Sequence, residues 1–362
     1  MSRWPVRDGK GGNVDHEKGA MTMERTHMPE GHPEINQGRI GVLLVNLGTP
    51  DGADVPSVRR YLREFLGDPR VIEVPRAIWF VILNLFILTL RPPKTARAYR
   101  KVWVIETDEG PLRYHTRRLT EALAGRFEGG RVAVDHAMRY GNPSIPDVLT
   151  RLKAGGCDRI LVAPLYPQYS ATTTATVVDK VGEALRGMRW QPTIRVVPPY
   201  YDDPAHIEAL AKSIEADFAA HGRPDALVAS FHGLPKDYFE KGDPYHCHCA
   251  KTARLLRERL GMGSEDFRLT FQSRFGPREW LQPYTDETLA ALPAEGARSV
   301  AAVMPGFPAD CVETLEEIAI EGRKTFEDAG GTAFRTIPCL NDSDVHVDMM
   351  ETIVRRELGG WL

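Results

Sequence analysis

Short β-branched apolar runs alternating with amphipathic segments constrain this chain more than any other feature. The runs fall at 40–46, 132–138, 159–164 and 193–197, then at 226–231, 268–272, 299–304 and 333–337. Several are almost wholly apolar, as strands covered on both faces must be. Between them the spacing predicts helices over 55–66, 111–126, 145–154, 174–186, 204–220, 246–260, 285–292, 312–329 and 344–358. Strands alternating with helices imply parallel βα units. The strands divide into two groups of four near 196–199, and 362 residues suit two bodies of that size. The fold predicted is therefore α/β, with two similar lobes, each a four-stranded parallel sheet flanked by helices, and a cleft between them. The lobes are expected at 39–197 and 198–345, with a C-terminal helix over 346–362. Residues 1–38 are polar and Gly-rich, and are expected to form a disordered extension.

Composition narrows the class. A hydrophobic share of 42% and a charged share of 26% are ordinary for a globular protein. The net charge of −3 argues against a general nucleic-acid binder. Five cysteines, odd in number and irregular in spacing, point to a reducing compartment. The start of the chain shows no secretory apolar segment, so a cytoplasmic location is expected. One run, AIWFVILNLFILTL at 77–90, is too short to cross a bilayer as a helix. It suits a buried core helix. It equally suits an exposed lip, extending to residue 93, that holds a greasy ligand or dips into a membrane surface. Arg91, Lys94, Arg97, Arg100 and Lys101 follow it, mostly on one helical face. They form either a solvated face or one that meets carboxylates and anionic headgroups.

In an open parallel sheet, ligands sit beyond the carboxyl ends of the strands. SFHGLP (230–235) ends one apolar run on His232, and Gly233 lets another backbone come close. A strand-end histidine is also commonly structural. PGFPADCVETLEEI (305–318) follows another run and opens a helix with Asp310, Glu313 and Glu317. Asp310 and Glu313 have capping-box spacing, a sufficient structural reason for both. Glu317, at i,i+4 from Glu313, adds repulsion that a cap does not need, and suggests that a cation or proton is received there. Trp280 lies in the loop-rich QSRFGPREWLQP and is either a core plug or a face for a flat aromatic ligand. Arg139 in MRYGNP, Tyr166 in LYPQYSATTT and Leu47 in NLGTP each stand at a further strand end. The run Tyr245, His246, Cys247, His248, Cys249 looks metal-binding, yet adjacent ligands cannot by themselves close a tetrahedral site.

These ordered motifs, with GDPY (242–245), resemble the ferrochelatase family from about residue 40 onward. The resemblance implies a chelatase-like fold of two Rossmann-like lobes around a porphyrin cleft. It implies a lyase that inserts Fe2+, as substrate, into protoporphyrin IX in the last step of haem biosynthesis. On this basis His232 and Glu313 are expected to be catalytic and to meet the metal, with Asp310 and Glu317 on a path for protons or iron. Leu47, Arg100, Arg139, Tyr166, Trp280 and Phe307 are expected to contact porphyrin. The lip is expected to rest on membrane, at the inner face of the cell membrane. No cofactor is expected to be required. Ala171 replaces the cysteine of cluster-bearing animal enzymes, which argues against a 2Fe–2S cluster, although Cys157, Cys247 and Cys249 keep another cluster arrangement open. Cys311 stands where many relatives carry a histidine, which puts a metal-guiding role there in doubt.

The competing readings are a chelatase for coproporphyrin or sirohydrochlorin, and a non-enzymatic haem or porphyrin carrier. More carboxylated substrates call for a more basic and less greasy cleft than the 77–90 lip provides. A carrier needs neither a base nor an acidic relay.

Overall fold

The computed structural model describes His32, Ile35, Asn36 and residues 38–362 other than Glu128. The expected 1–38 extension falls almost wholly outside these residues. Strands β1 (Arg39–Gly48), β2 (Val132–Tyr140), β3 (Cys157–Pro164) and β4 (Thr193–Val196) form one sheet. Strands β5 (Ala226–His232), β6 (Phe267–Gln272), β7 (Ser299–Val303) and β8 (Ala333–Thr336) form the other. The strand orders are β2-β1-β3-β4 and β6-β5-β7-β8, every pair parallel. Each sheet reverses direction between its two central strands, β1/β3 and β5/β7, and such switch points open crevices for ligands.

The apolar runs become strands because both faces are covered. Ile40, Val42 and Leu44 of β1 face one cluster, and Leu43 and Val45 face another. The first cluster continues through Leu227, Ala229 and Phe231 of β5 to Met350 and Ile353 of the helix Asp344–Glu357. That helix therefore belongs to a core shared by both sheets. Gly48 could be no other residue: at φ 122°, a Cβ there would lie 1.8 Å from the Tyr140 carbonyl oxygen.

The 77–90 run is not a core helix. It lies in one helix, Arg76–Val102, that includes a wide π-helical turn at Leu83–Ile87. Leu83, Leu88 and Tyr99 pack inward, while Phe80, Leu85 and Leu90 are 67%, 64% and 73% exposed. Trp79 anchors the start of the helix through Nε1 to the Leu66 carbonyl, at 2.6 Å. Pro92 cannot donate to the Leu88 carbonyl four residues back. Arg59 Nε donates to it instead, at 2.9 Å. Two other wide-helix segments stand at strand ends, Ala171–Ala175 after β3 and Glu313–Gly322 after β7. Such turns are frequent at functional sites.

Candidate active site

The carboxyl ends of all four central strands open onto one cavity of about 890 Å3, counting its mouth. Leu47 reaches it from the end of β1, Tyr166 from beyond β3 and His232 from the end of β5. Phe307 and Glu313 reach it from beyond β7. The helix Val55–Gly67 adds Tyr61 and Phe65, and the lip helix adds Tyr99. These three aromatic side chains were not singled out in the sequence. The only signal was the i,i+4 spacing of Tyr61 and Phe65 on an amphipathic helix.

The backbone fixes the His232 ring. Its Nδ1 lies 2.6 Å from the Gly233 carbonyl oxygen. A carbonyl only accepts, so Nδ1 carries the proton and Nε2 keeps the basic lone pair. Gly233 has no room for a side chain, because a Cβ would meet the Gln272 carbonyl oxygen at 2.7 Å and Trp280 at 3.2 Å. The Phe307 ring lies 6.4 Å from the imidazole.

Glu313 lines the cavity at the start of the wide helix, and Glu317 stands one turn behind. Burial pushes the Glu317 carboxyl above the usual range. Hydrogen bonds from Ser273 and the charge of His232 pull it down, and Glu313 pushes it further up. Beside Glu313, burial and the Glu313 charge raise the Cys311 thiol, so it stays protonated at neutral pH.

Two hydroxyls on the cavity wall, Thr49 Oγ1 and Tyr166 Oη, are buried without a protein partner. Buried polar atoms are rarely left so, and here a bound molecule can satisfy them. Burial raises Tyr61, Tyr99 and Tyr166 well above the ordinary phenol range, so their hydroxyls remain neutral donors.

Three expected porphyrin contacts, Arg139, Trp280 and Arg100, and the expected path residue Asp310 lie off the wall. Arg139 is buried in an ion pair with Asp68, donates from Nε to the Thr176 carbonyl at 2.8 Å, and stacks on Tyr140. These bonds tie β2 to the end of the helix Val55–Gly67 and to the helix that begins at Thr176. Trp280 is a core plug behind His232, with Nε1 bonded to the Phe275 carbonyl at 3.0 Å. Arg100 is on the exposed face of the lip helix, next to the inward Tyr99. Asp310 accepts from Thr314 Oγ1 at 2.9 Å and from Asn341 Nδ2 at 2.7 Å, while Asn341 Oδ1 takes its backbone N–H at 2.8 Å. That N–H is therefore closed to Glu313, so no reciprocal capping box forms and the Glu313 side chain goes to the cavity. Arg91, exposed on the lip helix, lies 5.2 Å over the Phe275 ring, and partial desolvation lowers its pKa against the opposing charge of Glu313.

Among the described residues, no group of three or more His, Cys, Asp or Glu side chains is arranged to hold a metal ion. In the 245–249 run, His248 stacks on Tyr201 at 3.6 Å and its Nδ1 accepts the Tyr169 N–H at 3.1 Å. Cys249 is buried and Cys247 is exposed.

Two parallel sheets with their switch points facing one cavity are the architecture of the chelatase-type fold. SirB from Bacillus subtilis with Fe3+ shares the fold, with TM-score 0.54 and 12% identity over 89% of this chain and 96% of that one. So does the sirohydrochlorin chelatase SirB from B. subtilis subspecies spizizenii in complex with cobalt, with TM-score 0.52 and 11% identity over 88% and 95%. The sequence is more specific. The ferrochelatase family model matches residues 39–358. The chain is 54% identical to the ferrochelatase of Rhizobium etli (strain CIAT 652), over 94% of this chain and all of that protein. It is 56% identical to that of Rhizobium meliloti (strain 1021), over 91% and 98%. The chain belongs to the ferrochelatase family.

Proposed function

We propose that this chain inserts Fe2+ into protoporphyrin IX to form protohaem, with His232 as the base and Glu313 facing it across the cavity. The observation that carries this reading is the delivery of His232 and Glu313 from separate strand ends into one largely apolar cavity of a ferrochelatase-family chain. Free-base porphyrin is flat and holds two inner protons. Iron enters when the ring buckles and those two N–H bonds break; four Fe–N contacts form and two protons leave. Leu47, Phe65 and Phe307 offer apolar surface against which binding energy can press the ring out of plane. His232 Nε2 takes a pyrrole proton, and imidazole and carboxylate together suit transient Fe2+. Glu317, one turn behind Glu313 and with its carboxyl raised above the usual range by burial, passes them on. Arg91 and the unpartnered wall hydroxyls meet the substrate carboxylates. Asp310 anchors the helix start through Thr314 and Asn341. The chemistry uses iron as substrate and no resident cofactor.

The lip supports contact with a membrane surface. Its helix, Arg76–Val102, is 27 residues long and apolar enough in composition to cross a membrane. The apolar half, 14 residues, covers only about 21 Å of rise, short of a hydrocarbon core of about 30 Å. The exposed Phe80, Leu85, Phe86 and Leu90, followed by basic residues, fit an interfacial position at the inner face of the cell membrane.

The test mixes purified protein with excess protoporphyrin and Fe2+ under anaerobic reduction and follows the porphyrin spectrum. Multiple turnovers that His232→Ala abolishes while porphyrin still binds are expected. Stoichiometric binding without turnover would make the chain a carrier, and turnover only with coproporphyrin or sirohydrochlorin would change its substrate.

A further inference from the structure

The motif after β6 has no task in the chemistry so far, yet it hydrogen-bonds both the Glu313 backbone and the Glu317 carboxylate. Ser273 follows the last residue of β6 at φ 67°, one of three non-glycine residues in the left-handed region among the described residues. Such a conformation persists only where its surroundings hold it. Here it sets both donors of one residue on one carboxylate: Ser273 N–H donates to Glu317 Oε1 at 2.7 Å, and Ser273 Oγ–H to Oε2 at 2.6 Å. Gln272 Nε2 donates to the Glu313 carbonyl at 3.0 Å and reaches Glu317 Oε2 at 3.4 Å. The amide cannot flip without loss, because its Oε1 accepts from Ser230 Oγ at 2.8 Å. Thr285 Oγ1 lies 2.8 Å from Ser230 Oγ and 2.9 Å from Thr270 Oγ1, so a buried row of hydroxyls backs the amide. Strand register completes the frame: Ser230 pairs with Thr270, and His232 with Gln272.

We propose that Gln272 and Ser273 form a positioning clamp that holds the acid-bearing helix, and the Glu317 carboxylate in particular, at a fixed distance from His232. The register ties the clamp to the base on one side, and its hydrogen bonds tie it to the acids on the other. Neither residue lines the cavity, so neither touches substrate. The clamp rests on the reading of Glu317 as the group that passes protons from His232.

The full-length protein tests it through Ser273→Ala, which removes the hydroxyl, and Ser273→Gly, which removes it while relaxing the backbone. Gln272→Leu is the companion variant, and Glu317→Gln the reference. Both Ser273 variants are expected to lower kcat about tenfold, the worth of a hydrogen bond to a charged group, with porphyrin KM within about twofold. A residue that mattered only for backbone strain would instead be rescued by glycine. Ser273→Ala placed in Glu317→Gln is expected to add no further loss. Fluorescence titration of porphyrin reports folded sites in each variant, so the Ser273 pair decides the matter if Gln272→Leu does not fold. Wild-type kcat in Ser273→Gly, or losses that multiply in the double variant, overturns the clamp. Wild-type kcat in Glu317→Gln alone overturns the relay beneath it.

Discussion

At the scale of single residues, strand-end position marks where a side chain begins, and its partners decide what it does. Arg139 and His232 both stand at or next to strand ends, but Arg139 is engaged by Asp68 and Thr176, whereas His232 spends one nitrogen on a carbonyl and keeps the other. Replacing Arg139 with Met leaves Asp68 buried without its counter-charge. The expected cost is about 3–5 kcal/mol of unfolding free energy, read by urea titration. Porphyrin KM should be unchanged in the fraction that stays folded. A raised KM at unchanged stability would instead put the guanidinium on substrate. Glu313 behaves in the opposite way, since its carboxylate has no anchoring task comparable to that of Asp310. Glu313→Gln is expected to cut turnover at least tenfold, as loss of an acid-base group does, with a Tm close to that of the unaltered protein. Wild-type kinetics would return Glu313 to helix capping.

At the scale of elements, the strands were legible because a buried parallel strand needs an unbroken apolar run, and little else in a chain this size looks like one. The wide helices were not. An i,i+4 acidic pair such as Glu313 and Glu317 is written the same way for an α-turn and for a wider one, and the hydrogen bonding that distinguishes them depends on Gln272 from another strand. Nor could the 77–90 run declare its exposure, because it is apolar on all sides and has no polar face to orient it. Its two readings separate only through Trp79 and Arg59, which hold the helix by carbonyls from outside the run or within it. Arg59 is thus a predicted control point for the lip. Arg59→Ala leaves the Leu88 carbonyl without a donor on a nearly fully buried residue, a loss of about 1–3 kcal/mol. Amide exchange over 83–93 is expected to speed up while the sheets keep their protection. Uniform acceleration would show that the lip and the sheets open as one unit. Exchanging Leu85 and Phe86 for Ser should reduce binding to anionic vesicles without altering that exchange pattern. Unchanged vesicle binding would remove the lip from the membrane.

At the scale of the whole molecule, the division into four and four strands was visible, but the core joining the halves was not, because contacts between distant helices leave no local pattern. The helix Asp344–Glu357 packs with Pro204–His221 in that shared core, and each contributes a buried histidine, His346 and His206. Burial pushes both imidazoles down to about 4. The nearby His346 lowers His206 further, while backbone hydrogen bonds at both histidines and the charges of Asp203 and Asp342 oppose the fall. The unfolded chain, with imidazoles near 6.5, binds protons between these values that the folded chain refuses. Stability from the pair is therefore complete above about pH 6.5 and drains away as pH falls toward about 4, by at most about 3 kcal/mol for each ring. Glu317 acts in the opposite sense, since its raised pKa lets the folded state hold a proton that the unfolded state releases. One carboxyl set against two imidazoles leaves a net loss on acidification. Carboxylates held low, such as Asp342 and Asp225, add their own loss only at lower pH. Urea titrations at pH 7.5, 6.0 and 5.0 should show a falling midpoint in the unaltered protein. His206→Phe should flatten that fall, because the ring is replaced by one that cannot be charged. The same slope in both proteins would move the acid sensitivity away from the joint between the two sheets.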